Sequence, residues 1–231
     1  MKILCISDQI DPLVYSSAIK ERFKGIDLIL CAGDLPMDYL DFVISSLNRP
    51  LLFVFGNHEL EEHSFFRKGG DISRGYGAVH VGSRVRIEDG IIVAGLGGSI
   101  RYNRGDNQYT NFQMYLEICK LIPALLFNRL FRGRFLDVLL THAAPRGIHD
   151  RDDPCHRGFT AFLWFMRAFK PKYLIHGHIH LYDFSEVRTT VYHQTQVINA
   201  YSHYIIDTEE TAFKENGAFK ENGAFRENGT L

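Results

Sequence analysis

The 231-residue chain has little with which to build a cross-linked or membrane-spanning fold. Its four cysteines, Cys5, Cys31, Cys119 and Cys155, lie far apart and form no C-x-x-C pair. Such spacing argues for a reducing compartment over a disulfide framework. Cys5 and Cys31 sit inside apolar runs, where a small buried thiol is the ordinary reading. No stretch approaches the roughly 18 consecutive apolar residues of a transmembrane helix. Only four apolar residues separate Lys2 from Ser7, too few for the core of a secretory leader. A soluble cytoplasmic protein is expected. Charge of one sign is also lacking: 26 Lys and Arg face 27 Asp and Glu, for a formal net charge of -1. Neither a global basic field for nucleic acid nor an acidic solvating chain follows.

What is present is a 45% apolar fraction, ample for the core of one domain or a tight two-layer unit. Short aliphatic runs recur at 2–6, 27–31, 51–55, 91–95, 136–141 and 173–176. They are unbroken rather than alternating, which predicts strands covered on both faces. Residues 35–48 and 159–170 have helical periodicity, with Leu40, Val43, Ile44 and Leu47 on one face, and Phe159, Phe162, Leu163 and Met166 on the other helix. Pro50 and Pro171 end them. Strand and helix alternating predicts an α/β fold. From 181 onward the segments LYDFSEV, TTVYHQ and QVINAY predict short strands without helices between them.

Two stretches stand apart. Residues 121–131, LIPALLFNRLF, are very apolar and are followed by Arg132 and Arg134. They predict a helix packed on the domain, with a lid over the site or a patch resting on a membrane surface as functional alternatives. Residues 212–229 are three copies of a six-residue unit, AFKENG, AFKENG and AFRENG. One large apolar residue and one Asn-Gly turn per copy give too little core, so a domain over 1–208 and a disordered tail over 209–231 are expected.

The strand ends carry the polar chemistry. Asp8 follows the first run, Gly33-Asp34 the second, Gly56-Asn57-His58-Glu59 the third, His142 the fifth and Gly177-His178-Ile179-His180 the sixth. One histidine past a strand is usually structural; five strands delivering Asp, Asn or His to one sheet end are not. The glycines would permit tight turns and positive φ that aim the next side chain into a shared cleft. Asp8, Asp34, Asn57, His142, His178 and His180 offer oxygen and imidazole ligands, suited to borderline divalent metals. Six are too many for one open catalytic ion, so two metals, Mn, Fe or Zn, are expected, with Asp34 between them.

The series D…GD…GNHE…H…GHIH resembles the calcineurin-like metallophosphoesterase superfamily over roughly residues 2–205. Within it the chain is similar to small prokaryotic phosphoesterases related to cyclic nucleotide phosphodiesterases. The resemblance implies two packed mixed β-sheets flanked by helices, a four-layer α/β/β/α sandwich. It implies that Asp8 and His180 hold one metal, that Asn57, His142 and His178 hold the other, and that His58 faces the phosphate as general acid. The implied activity is hydrolysis of a small phosphomonoester or phosphodiester by a hydroxide held at the metals. Alternatives are a non-catalytic scaffold of the same fold and a pyrophosphatase acting on a membrane lipid precursor through 121–131. Arg101, Arg146 and Arg157 are candidates to grip phosphate, against a solvated-surface reading in which Asp150, Asp152 and Asp153 neutralise them.

One position departs from the family pattern. The pattern opens D-x-H, but Ile10 stands where the histidine belongs. Water can fill the gap, Asp11 can swing in, or the first site is weak or empty. Asp11 equally suits the N-cap of a helix starting near Pro12. The expectation is that Ile10 lowers affinity at the first metal without abolishing turnover.

Overall fold

Every residue of Ile3–Ser7 is buried, so a strand there must be covered on both faces. The computed structural model describes residues 1–58, 77–183 and 186–209. In chain order its elements are β1 (Lys2–Ser7), α1 (Ile19–Arg22), β2 (Ile26–Cys31), α2 (Met37–Leu47), β3 (Leu51–Phe53), β4 (Val79–His80), β5 (Val85–Glu88) and β6 (Ile91–Leu96). There follow β7 (Ser99–Ile100), β8 (Gln108–Tyr109), α3 (Asn111–Arg132), β9 (Val138–Thr141), α4 (Thr160–Phe169), β10 (Tyr173–His176), β11 (Thr189–Tyr192), β12 (Thr195–Asn199) and β13 (Ser202–Asp207).

The first sheet has the order β13-β1-β2-β3-β4 and the second β11-β12-β10-β9-β6-β5. Strands β1 to β4 are parallel, and β13 closes the other edge of β1 antiparallel. In the second sheet β6, β9, β10 and β12 are parallel, with β5 and β11 antiparallel at its edges.

Side chains alternate across each buried strand. Leu4, Ile6, Ile29, Cys31, Leu51 and Phe53 pack with Leu40 and Val43 of α2. Ile3, Cys5, Leu28, Leu30 and Leu52 turn the other way, onto Val93, Val138, Leu140, Ile175 and Ile198 of the second sheet. That sheet's opposite face, with Ile92, Leu139, Leu174 and Val197, packs under α3 and α4. Each such aliphatic side chain contributes about 1.5–3 kcal/mol by leaving water. The layers are therefore α/β/β/α, as the resemblance implied.

Helices α2 and α4 end in the way their sequence predicts. Asn48 and Lys170 adopt positive φ, of 52° and 50°, and their N–H groups bond to Ile44 and Met166; Pro50 and Pro171 then forbid continuation. The run 121–131 is the second half of α3, which starts at Asn111. Its start is set by a capping box between Thr110 and Gln113. Two strand expectations differ. LYDFSEV forms no strand among its described residues, whereas β13, too mixed in polarity to stand out, pairs with β1. The repeats and almost all of the expected tail lie outside the described residues.

Candidate metal centre

Parallel strands of both sheets end at one edge, and the candidate ligands leave them there. Sheet one contributes Asp8, Asp34 and Asn57; sheet two contributes His142, His178 and His180. Ligand atoms of Asp34, His142 and His178 all lie within 4.8 Å of one another. His142 Nε2 is 3.3 Å from Asp34 Oδ2 and 3.1 Å from Asn57 Oδ1. The His142 and His178 rings are 4.8 Å apart. The Asp8 carboxylate accepts the backbone N–H of His178 at 2.9 and 3.0 Å, and His180 Nε2 lies 3.9 Å from Asp8 Oδ1. All six side chains thus meet in one place, with His180, 42% exposed at its side chain, on the rim.

Backbone carbonyls choose which nitrogen each buried ring presents. His142 Nδ1 is 2.7 Å from the carbonyl of Ala32, and His178 Nε2 is 2.8 Å from that of Cys155. A carbonyl can only accept, so those nitrogens carry protons. Nε2 of His142 and Nδ1 of His178 remain for the site.

The glycines meet the expectation only at Gly33. Positive φ falls on the ligands themselves, Asp8 at 62°, Asp34 at 56° and His178 at 66°, a strained region for residues with a Cβ. Of the glycines, Gly33 has φ +99°, while Gly56 and Gly177 are needed for space. A Cβ on Gly56 would lie 1.9 Å from Asp34 Oδ1, and one on Gly177 would lie 2.4 Å from Asp8 Oδ2.

Proton occupancy here is frustrated. Burial alone would depress the His142 imidazole, but Asp34, by charge and hydrogen bond, and Asp8 push it up to about 9. The same pairing outweighs burial at Asp34 and holds its carboxyl well below the usual range. Burial lifts the Asp8 carboxyl, with Asp34 adding to the rise against the pull of His142. Burial, reinforced by the charge on His142, lowers His178 to about 3. A donor set of carboxylate, amide oxygen and imidazole suits a divalent cation.

Other expectations at this site need correction. Asp11 does not swing in: Oδ1 accepts the N–H of Leu13 at 2.7 Å, while Oδ2 is held by Ser202 and His203. Nor does it cap a helix, since the next one begins at Ile19. Ile10 is 43% exposed. Arg146 is paired with Asp150 at 2.8 Å and Asp152 at 3.2 Å, as in the solvated-surface reading. Arg101 and Arg157 bond to the carbonyls of Gln108 and Asp152. The exposed His58 donates its backbone N–H to Asp34 Oδ1 at 3.1 Å; Glu59 lies outside the described residues.

The run 121–131 cannot be a lid. The loop before α3 is tied to the site, because Asn107 Nδ2 donates to the carbonyl of Gly56 at 2.6 Å. The N-terminus of α3 is therefore at the site end, and the helix runs about 33 Å away from it at 1.5 Å per residue. Supporting residues escaped the sequence reading. The Tyr102 hydroxyl accepts from Asn57 Nδ2 at 3.2 Å, and Tyr182 and Tyr201 flank the His180 ring. They stand in loops, with no periodicity or motif to mark them.

The search of curated protein sequences found no match. One solved crystal structure superposes with a TM-score of 0.66 at 16% identity, over 90% of this chain and 95% of its own. The protein TT1561 of Thermus thermophilus superposes with a TM-score of 0.58 at 14% identity, over 87% of this chain and 89% of its own. A structure titled as a novel archaeal phosphodiesterase is 17% identical over 91% of this chain and 95% of its own, with a TM-score of 0.43. The profile of the calcineurin-like phosphoesterase family matches residues 1–182. With the sandwich and the converging ligands, that match makes the chain a member of the calcineurin-like phosphoesterase family.

Proposed function

We propose that this chain is a dinuclear metal-dependent hydrolase of a small phosphomonoester or phosphodiester. The observation that carries the reading is the convergence of Asp34, His142 and His178 within 4.8 Å, with Asp8, Asn57 and His180 against them. Asn57, His142 and His178 would hold one cation, and Asp8 and His180 the other, with Asp34 shared. Bound there, the cations supply Lewis acidity toward phosphate oxygens and make a nucleophilic water available near neutral pH.

The protein's own groups do the rest. Carbonyls of Ala32 and Cys155 hold the two buried rings in the tautomers that offer lone pairs inward. Tyr102 orients Asn57 with its oxygen toward His142. His58, adjoining Asn57 and anchored by its backbone N–H to Asp34, would donate a proton to the departing oxygen. With Ile10 exposed and Asp11 engaged elsewhere, a cation beside Asp8 would draw only Asp8, Asp34 and His180 from this set, leaving water to complete its coordination.

Elemental analysis together with a panel of phosphomonoesters, cyclic nucleotides and dinucleotide polyphosphates assayed with Mn²⁺ tests the assignment. Two metal equivalents and turnover of a panel member are expected. Failure to retain metal and to hydrolyse any member would move the chain to the scaffold reading. His58→Ala should slow an alkyl phosphoester roughly 10²–10⁴-fold with metal content unchanged, and p-nitrophenyl phosphate much less. Equal losses on both substrates would refute the acid role.

A further inference from the structure

The outer face of α3 is the largest feature that the hydrolytic reading leaves unused. Met114, Ile118, Leu121 and Leu125 turn inward onto the second sheet. On the opposite side stand Phe112, Leu116, Leu126, Phe127 and Leu130, with Phe131 beside them. Leu130 is 76% exposed, Phe112 71% and Phe131 66%. At 100° per residue, Phe112, Leu116, Pro123, Leu126, Phe127 and Leu130 fall within one stripe. A helix packed on a domain normally shows its polar side to water; this one is apolar on both sides. Trp164 of α4 extends the face, its ring 5.8 Å from that of Tyr115.

Charge around the stripe has one sign. From Ile118 to Leu136 the sequence has no Asp or Glu but includes Lys120, Arg129, Arg132 and Arg134. Helix α4 has none either, and adds Arg167, followed by Lys170 at its C-cap. Lys120 pairs with Glu117 and Arg134 with Asp137. Arg129 donates to the carbonyl of Gly133 and lies over the Phe135 ring, while Arg132, Arg167 and Lys170 are exposed. Exposed Leu, Phe and Trp side chains, with cations gathered at the C-terminal end of the α3–α4 layer and no acid from Ile118 to Leu136 or in α4, complement an anionic lipid surface.

We propose that the outer face of the α3–α4 layer is a peripheral docking surface for an anionic lipid bilayer. No described helix is long and apolar enough to cross one, so the contact is interfacial. The loop before α3 is tied to the candidate metal centre through Asn107 and Gly56, so the centre lies at the N-terminal end of the proposed docking face. The proposal stands independently of the phosphoesterase reading.

Flotation with phosphatidylcholine vesicles, with and without phosphatidylglycerol, tests it on the full chain. Binding is expected only with phosphatidylglycerol, with loss in high salt and at least a tenfold loss in Leu130→Glu/Phe131→Glu. The same variant should keep the wild-type melting temperature, since both side chains are exposed. As a second probe, Arg167→Gln/Lys170→Gln should weaken binding and leave the apolar stripe intact. The proposal is overturned if phosphatidylglycerol vesicles do not bind, if neutral vesicles bind equally, or if both variants bind like wild type. It is also overturned if the face instead supports a concentration-dependent dimer that Leu130→Glu/Phe131→Glu abolishes.

Discussion

His142 shows how far a single residue's chemistry depends on its neighbours. Buried and unaccompanied it would be neutral at pH 7; beside Asp34 and Asp8 it is pushed up to about 9 and holds a proton. Below pH 9 the metal-free protein therefore carries an imidazolium where a ligand lone pair is needed, and loading must expel that proton. Calorimetric titration with Mn²⁺ at pH 7, repeated in buffers of different ionisation enthalpy, should show release of about one proton from this group. The number should fall as pH rises through 9, because the ring is then already neutral. His142→Gln should remove that component. An enthalpy independent of buffer would show that the imidazole is not protonated beforehand. The glycine at 56 belongs to the same scale, because any Cβ there takes the space of the Asp34 carboxylate.

Among the elements, α3 is the one whose ends matter most. Its N-terminus is fixed by Thr110 Oγ1 accepting from Gln113 N–H at 3.2 Å, while Gln113 Oε1 accepts from Thr110 N–H at 2.9 Å. Thr110→Ala removes one half of that exchange and should cost about 1 kcal/mol, read as a lower urea midpoint at unchanged slope. No change in midpoint would mean that packing against α4 alone holds the helix start. The element scale is also where motif reading was strongest and weakest. Runs of buried aliphatic residues marked β1, β2, β9 and β10 well, because a strand covered on both faces must be apolar throughout. Strands such as β5 and β13 carry mixed burial, so nothing in their composition separated them from loops.

For the whole molecule, the important fact is that the ligands come from two sheets. Asp8, Asp34 and Asn57 leave one and His142, His178 and His180 the other, so cations bound there would join the halves of the sandwich. Mn²⁺ at one hundred times its dissociation constant should stabilise the fold by about 2.7 kcal/mol per site, through its preference for the native state. Calorimetric scans should show one transition shifting upward as a unit. Two transitions, only one of them sensitive to metal, would show that the sheets unfold separately. Arg188 adds a second tie, donating to the carbonyls of Asn199, Tyr201 and His203 where the chain passes from the second sheet back to the first.

By itself the sequence determined which candidate ligands stand at the ends of which strands, since residue type and hydrophobic periodicity are local and survive in one dimension; the layer order was implied only by the resemblance of its motif series to a family. It also located the apolar stretch at 121–131. Tertiary structure decided what those pieces do: that Asp11 is spent on Ser202 and His203 and not on the place where Ile10 offers no ligand, that Arg146 is neutralised by Asp150, and that α3 leads away from the site. Each outcome turns on which residues meet across the folded chain. Position in space, unlike composition, is fixed only once the two sheets pack.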